Sequence, residues 1–282
     1  MGVVDALYQP FPIPGAARGH IWHHQPATRR PRHFHSEPEL NLIAAGRATF
    51  GAGESVIAVE AGDLLWWPPG QDHVLLDASP DFDLYVIGLT AGFSERVLGN
   101  RAALAATSAA RFHLDRDHLV RFTAMCAVPI ASSATADIER KVGDFWRHAH
   151  RLRAFAHDRH MLTRRTLESV LAQPELKRSE LARLVGGNVS ELSRHFHHDI
   201  GLTLTSYRTR LRLLRFIHLV DSGQRLLSAA EEAGFGSYSQ CHRVFHHTLG
   251  CTPRVFFRSG IREEMRDRFD PWPAAAGRGV SG

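Results

Sequence analysis

Apolar positions along the chain change their period twice. From about residue 15 to 93 they alternate with polar ones in short runs cut by Gly and Pro turns: RATF, a GAGE turn, SVIAVE, an AGD turn, LLWW and then PPGQ. Alternation of period two with regular turns predicts an antiparallel β-barrel or sandwich. From about 94 to 157 the period becomes helical, in LVRFTAMCAV and DIERKVGDFWRHAHRLRAFA, with a break from Pro129 to Ser133. From about 158 helices and short turns alternate, and the tail PWPAAAGRGVSG has the composition of a flexible segment. The expected fold class is therefore α+β with two domains: a β-rich unit over 1–93, a helical linker over 94–157, an all-α unit over 158–266 and a tail over 267–282.

One pattern occurs twice in the all-α unit. In SELARLVGGNVSELSRHFHHDIG (Ser179 to Gly201), Ser179 is placed to cap a short helix whose apolar stripe is Leu181, Leu184 and Val185. Gly186 and Gly187 supply a tight turn, and a second helix starting near Ser190 buries Leu192 and Phe196 before Gly201 stops it. In LSAAEEAGFGSYSQCHRVFHHTLGCTP (Leu227 to Pro253), Ser228 caps, Ala229, Ala230 and Ala233 pack, Gly234 to Gly236 turns, and a helix from near Ser237 buries Cys241 and Phe245. Aligning Leu192 with Cys241 puts the repeats 49 residues apart. Between them, SYRTRLRLLRFIHLVDSG (Ser206 to Gly223) reads as one amphipathic linker helix with an Arg-rich outer face. Each repeat is a helix-turn-helix unit.

Charge sharpens this picture. Residues Asp158 to Asp270 hold 18 Lys and Arg against 13 Asp and Glu, so the whole formal excess of +5 lies there. A phosphate-rich partner suits such an imbalance. No apolar run is long enough for a membrane span, and the N-terminus lacks the pattern of a secretory signal. Three cysteines without CxxC spacing fit a reduced cytoplasm. The expectation is a cytoplasmic protein with no membrane partner.

The all-α unit resembles the DNA-binding domain of the AraC/XylS transcription regulators. The resemblance is carried by LA-x-x-V-GG, ELSRHF, G-x-T and Y-x-x-x-LRL in the first half, and by AGF-x-S-x-S, RVF and G-x-TP-x-x-F in the second. It implies a seven-helix domain that sets two recognition helices into successive major grooves, about 34 Å apart. Candidate base readers are Ser190, Ser193 and Arg194 in the first helix and Tyr238, Ser239, Gln240 and Arg243 in the second. Arg208, Arg210 and Arg254 are candidates for phosphate contacts. Two positions depart from the pattern: Leu204, which would loosen the start of the linker helix, and Cys241, where a bulkier apolar residue is usual.

In the β-rich unit, His33, His35, Glu39 and Gly46 are followed by Gly62, Pro68, Gly70 and His73. These residues resemble the two cupin motifs H-x-H-x3-E-x6-G and G-x5-P-x-G-x2-H, with Ala27 and Asp77 as departures where Gly and Asn are usual. The resemblance implies a small cupin β-barrel serving as a sensing domain. His33 and His35 alternate with Phe34, so both imidazoles face one side of a strand. Pro38 ends that strand, Glu39 opens the next, and His73 closes a three-His, one-carboxylate set suited to Zn, Fe, Mn or Ni. The alternative is an organic effector to which the same histidines donate hydrogen bonds. Of Trp66 and Trp67, one is expected in the core. His23 and His24, the pair His148 and His150, and the pair His197 and His198 read as surface.

Together these readings predict a regulator, not an enzyme, that binds promoter DNA, works with RNA polymerase and responds to a small molecule or metal. A homodimer is expected through Ile138, Val142, Phe145, Trp146 and Leu152, unless that face packs on the barrel. The competing readings are a metal-dependent cupin enzyme (dioxygenase or isomerase) fused to a DNA-binding domain, and a nonspecific DNA binder.

Overall fold

The computed structural model describes residues 7–11, 13, 17–24, 30–98, 111–127, 135–153 and 160–258. The N-terminal unit holds two antiparallel sheets. The larger has strand order β10-β7-β4-β9-β2, from β2 (Gly19–His24), β4 (Glu39–Ala45), β7 (Asp63–Trp67), β9 (Asp83–Leu89) and β10 (Arg111–His113). The smaller has order β6-β5-β8, from β5 (Arg47–Ala52), β6 (Ser55–Glu60) and β8 (Val74–Ala78). A short parallel pair, β1 (Leu7–Tyr8) with β3 (His33–Phe34), lies beside them. β10 corrects the reading of residues 94–157 as wholly helical: its three residues pair with β7, a run too short for alternation to reveal.

Helices α1 (Ala91–Leu98), α2 (Arg116–Cys126) and α3 (Thr135–Arg153) follow the strands. Ile138, Val142, Phe145 and Trp146 of α3 are buried in one cluster with Leu40, Leu64 and Ile87 of the larger sheet. That face, weighed as a dimer contact, is consumed within the chain. The contact is close, since a Cβ at Gly19 would lie 2.8 Å from Val142 Cγ1. It also explains why both tryptophans of β7 are buried: Trp66 packs on Trp146 at 4.8 Å, while Trp67 stacks on His73 at 4.7 Å on the opposite face. A strand covered on both sides has no solvent face to offer.

Among the described residues the C-terminal unit holds seven helices: α4 (Met161–Ala172), α5 (Arg178–Val185), α6 (Val189–Ile200), α7 (Leu204–Asp221), α8 (Leu226–Glu232), α9 (Tyr238–Leu249) and α10 (Pro253–Arg258). The expected N-caps Ser179 and Ser228 lie inside their helices, whose caps are Lys177 and Arg225. α6 is capped by Asn188, whose Oδ1 accepts from Glu191 N–H (2.9 Å), and α9 by Ser237. The linker helix begins at Leu204 rather than Ser206, with Thr203 as cap, and Leu204 is buried. Instead of loosening the helix, Leu204 anchors it. Gly201 and Gly250 end the two recognition helices at φ of 71° and 72°. Pro129 to Ser133, Ala27 and the tail 267–282 lie outside the described residues.

Candidate metal centre and nucleic-acid interface

Two backbone hydrogen bonds assemble the histidines. His33 N–H donates to His73 O (3.2 Å) and His73 N–H to His33 O (2.9 Å), while Gly70 N–H donates to His35 O (2.9 Å). The loop Pro68–His73 is thereby zipped onto residues 33–35, and Gly70 takes the positive φ of 79° that the turn requires. His33, His35 and His73 are all buried, and one ring nitrogen from each lies within 4.8 Å of the others.

Each imidazole is oriented by a carbonyl. Nδ1 of His33 lies 2.8 Å from Pro31 O, that of His35 2.9 Å from Glu37 O, and that of His73 3.4 Å from Gln71 O. A carbonyl only accepts, so each Nδ1 carries the proton and each Nε2 of a neutral ring holds a lone pair. His33 Nε2 is buried with no hydrogen-bond partner. The Nε2 atoms of His35 and His73 lie 2.9 and 3.3 Å from Glu39 Oε2. Lone pair against carboxylate at these distances is repulsive unless a cation or a further proton intervenes. Burial, then the charges of His73, Arg30 and His35, hold the His33 pKa well below the usual imidazole value and keep that ring neutral. Burial works to raise the Glu39 pKa, but His73 and His35 outweigh it and hold the carboxyl well below its usual range. Three neutral-capable nitrogens and one ionised oxygen fit a borderline divalent ion, and the carbonyls supply the outer support that metal-bound histidines usually have.

The sequence missed three members of this site. Asn41 donates from Nδ2 to Glu39 Oε1 (2.6 Å) and accepts from Trp67 Nε1–H (2.8 Å). Its spacing of two from Glu39 on one strand was the available signal. His24, read as surface, is buried and lines the cavity beside His33 and Glu39, as does Arg30. Nothing local distinguishes them; packing of segments far apart in the chain brings them in.

The recognition faces are more uneven. Ser190, Arg194, Ser239, Gln240, Arg243 and Arg254 are exposed, and Ser193 and Tyr238 half-buried. Gln240 Oε1 accepts from Gly236 N–H (2.9 Å), which leaves its amide nitrogen for a base but not the paired contact adenine needs. Arg208 and Arg210 correct the expectation of phosphate contacts. Arg208 is buried and donates to Pro174 O (2.6 Å). Arg210 reaches back to the N-terminal unit, where it pairs with Asp72, donates to Gly70 O (3.3 Å) and lies 4.9 Å over the Phe34 ring. The outer face of the linker helix is thus partly an internal surface.

That surface joins the two units. Tyr207 hydroxyl donates to Pro69 O (2.7 Å), Gln71 Nε2 to Ile200 O (3.1 Å) and Glu54 N–H to Gly201 O (2.9 Å). Asp72 is also held by Arg32 at 2.8 Å. His197, read as solvated, sits 3.4 Å from Glu54. Phe34 and Tyr8 belong to the same buried cluster as the C-terminal helices. The loop that delivers His73 inward therefore presents Pro69 to Asp72 outward, to the linker helix and the end of α6.

Two family models match: an AraC-like ligand-binding domain over residues 15–141 and a helix-turn-helix domain over residues 181–259. The chain belongs to the AraC family. It is a ligand-controlled regulator of transcription that binds DNA, not an enzyme. No curated protein matches the sequence. Among solved structures, ToxT from Vibrio cholerae bound to an unsaturated fatty acid is 11% identical, with a TM-score of 0.42 over 86% of this chain and 95% of that one. The AraC-like transcriptional activator CuxR is 13% identical, with a TM-score of 0.34 over 70% of this chain and 73% of its own. Oxalate decarboxylase from Bacillus subtilis, a protein with Mn(II) centres, is 20% identical, with a TM-score of 0.24 over 29% of this chain and 23% of its own. Membership of the AraC family rests on the two family models rather than on these superpositions. Among the described residues no helix is long and apolar enough to cross a membrane.

Proposed function

We propose that this AraC-family regulator controls promoter binding through a divalent transition metal, Zn, Fe, Mn or Ni, held by His33, His35, Glu39 and His73. The observation that carries the reading is the buried cluster itself: each Nδ1 lies against the carbonyl of Pro31, Glu37 or Gln71, and one ring nitrogen of each histidine lies within 4.8 Å of the others, with Glu39 beside them. A bound ion supplies Lewis acidity to an oxygen of an effector. The protein side chains set its orientation, exclude water and, through the loop Pro68–His73, connect its state to helix α7. A homodimer acting with RNA polymerase on promoter DNA in the cytoplasm completes the proposal.

The test is elemental mass spectrometry of full-length protein purified without a tag or chelator. About one equivalent per chain is expected, and clearly less after dialysis in His35→Ala, because losing one of the four ligands leaves only His33, His73 and Glu39 and weakens the site. Wild-type protein that stays metal-free after incubation with Zn, Fe, Mn and Ni salts overturns the metal reading.

For DNA, bases are read by Ser190, Ser193 and Arg194 on α6 and by Tyr238, Ser239, Gln240 and Arg243 on α9, with Arg254 at a phosphate. Exposure of Ser190, Arg194, Ser239, Gln240, Arg243 and Arg254 beside two capped helix starts supports this, with Ser193 and Tyr238 half-buried. Arg243→Ala is expected to cost about 1–3 kcal/mol of operator affinity and to relax preference at one base pair. Binding to a randomised operator library reads both; an unchanged preference would move the reading face elsewhere on α9.

A further inference from the structure

Glu39 presents its two oxygens to different partners. Oε1 accepts a hydrogen bond from Asn41 Nδ2 (2.6 Å), while Oε2 lies 2.9 Å from His35 Nε2 and 3.3 Å from His73 Nε2. The direction of the first contact is fixed at its far end. Trp67 Nε1 carries a hydrogen and no lone pair, so the atom that meets it at 2.8 Å is the amide oxygen of Asn41. With that oxygen turned to the indole, Nδ2 is turned to Glu39, and Oε1 can only accept. Reversing the amide would set N–H against N–H at one end and oxygen against oxygen at the other. Trp67, Asn41 and Glu39 are 2%, 1% and 4% exposed, so a lost contact has little access to replacement water.

Strand pairing builds this relay. Glu39 and Asn41 are two residues apart on β4 and share a face, and Trp67 stands directly opposite Glu39 on β7. From there the indole reaches diagonally to Asn41. The same ring stacks on the His73 imidazole, with 4.7 Å between centroids and 15° between planes. Trp67 therefore steadies His73 directly and Glu39 through Asn41. We infer that Asn41 is a positioning residue of the metal centre: held by Trp67, it pins Glu39 so that Oε2 alone is offered to the ion. The inference rests on the metal reading above and goes beyond it in assigning the residues that decide which ions the site favours. A carboxylate free to turn can offer both oxygens, which suits an oxygen-seeking ion such as Mn. One confined to a single oxygen beside three imidazoles favours Co, Ni and Zn.

The experiment titrates full-length protein with Co(II), whose visible absorption reports its ligands, and measures Zn(II) and Mn(II) by competition against it. Thermal unfolding of the metal-free protein certifies the fold of each variant. Asn41→Leu keeps the approximate volume and removes both hydrogen bonds. It is expected to weaken Co(II) binding by about 10–100-fold, the usual effect of losing an outer support of a ligand. It is also expected to change the cobalt spectrum and to lower the ratio of Zn to Mn affinity. Trp67→Phe keeps an aromatic ring on His73 and loses only the N–H that orients the amide. The same changes are expected there at about two- to tenfold, the worth of one hydrogen bond. Should Asn41→Leu not fold, Trp67→Phe decides on the same readouts. A cobalt spectrum and a Zn-to-Mn ratio that stay at wild-type values, whatever happens to the unfolding temperature, give these residues a structural role only. That result overturns the inference and leaves the metal reading standing. Wild-type protein that binds none of the three ions overturns the metal reading itself and the inference with it.

Discussion

Asp72→Asn is expected to destabilise the full-length chain by about 3–5 kcal/mol, the usual result of removing one partner from a buried ion pair. The Asp72 side chain is 2% exposed, and the arginines that clamp it, Arg32 and Arg210, are 15% and 13% exposed. Asparagine keeps the volume and loses the charge, leaving two guanidinium groups without their shared anion. The clamp joins the loop that carries His73 to the linker helix, so its loss falls on the junction of the two units rather than on either core. In urea, the wild-type chain is expected to lose both units near one midpoint, and the variant to split into two transitions. The same variant is expected to bind operator DNA equally well with and without metal, because the Arg210–Asp72 link between the loop and the linker helix is lost. An unchanged midpoint with intact effector dependence would remove Asp72 from the junction. Acid reproduces the substitution in the wild type. Burial works to raise the Asp72 pKa, but Arg210 and then Arg32 outweigh it, so the carboxyl titrates below its ordinary value. A depressed carboxyl stabilises the fold above its unfolded pKa and stops doing so only as pH falls through the lower folded value. The clamp therefore holds throughout the neutral range and is not a physiological pH switch.

Gly201→Ala is the second large effect, and the repeat supplies its control. Gly201 and Gly250 end equivalent recognition helices at nearly the same positive φ, 71° and 72°. Alanine in that conformation costs about 1–2 kcal/mol at either site. Their surroundings differ. A Cβ on Gly250 would meet nothing within 4 Å, whereas on Gly201 it would lie 2.2 Å from Ala52 O and 2.8 Å from Glu54 N. No rotamer relieves a clash with backbone, so the turn between β5 and β6 must withdraw and the Glu54 N–H to Gly201 O bond (2.9 Å) must break. Gly201→Ala is therefore expected to exceed Gly250→Ala by about 1–3 kcal/mol, the cost of leaving such groups unsatisfied. Thermal unfolding of the two variants side by side measures the difference. Equal losses would mean that the two units do not meet at this point in solution.

The sequence by itself determined what depends on neighbours a few residues apart. Helical and strand periods, the two glycine-terminated recognition helices, the 49-residue repeat and the three histidines with Glu39 are all local patterns, and the structure has the corresponding elements and brings the ligand set together. Cap positions were less legible: Ser179 and Ser228 are good cap residues, but the helices begin at Arg178 and Leu226, set by where Leu181 and Ala229 must enter the core. Tertiary structure alone decided which amphipathic faces meet water. The apolar stripe of α3 is the same whether it meets a second copy or the chain's own sheet, and only the sheet's proximity selects the latter. Arg210 has the composition of a phosphate contact, yet its partner Asp72 lies 138 residues away. His24 and Arg30 line the cavity at the histidine cluster beside residues from β4, β5, β8 and β9, and nothing in their own neighbourhood of the sequence announces it. Local pattern fixes what a segment can bury; which surface covers it is settled by packing between segments far apart in the chain.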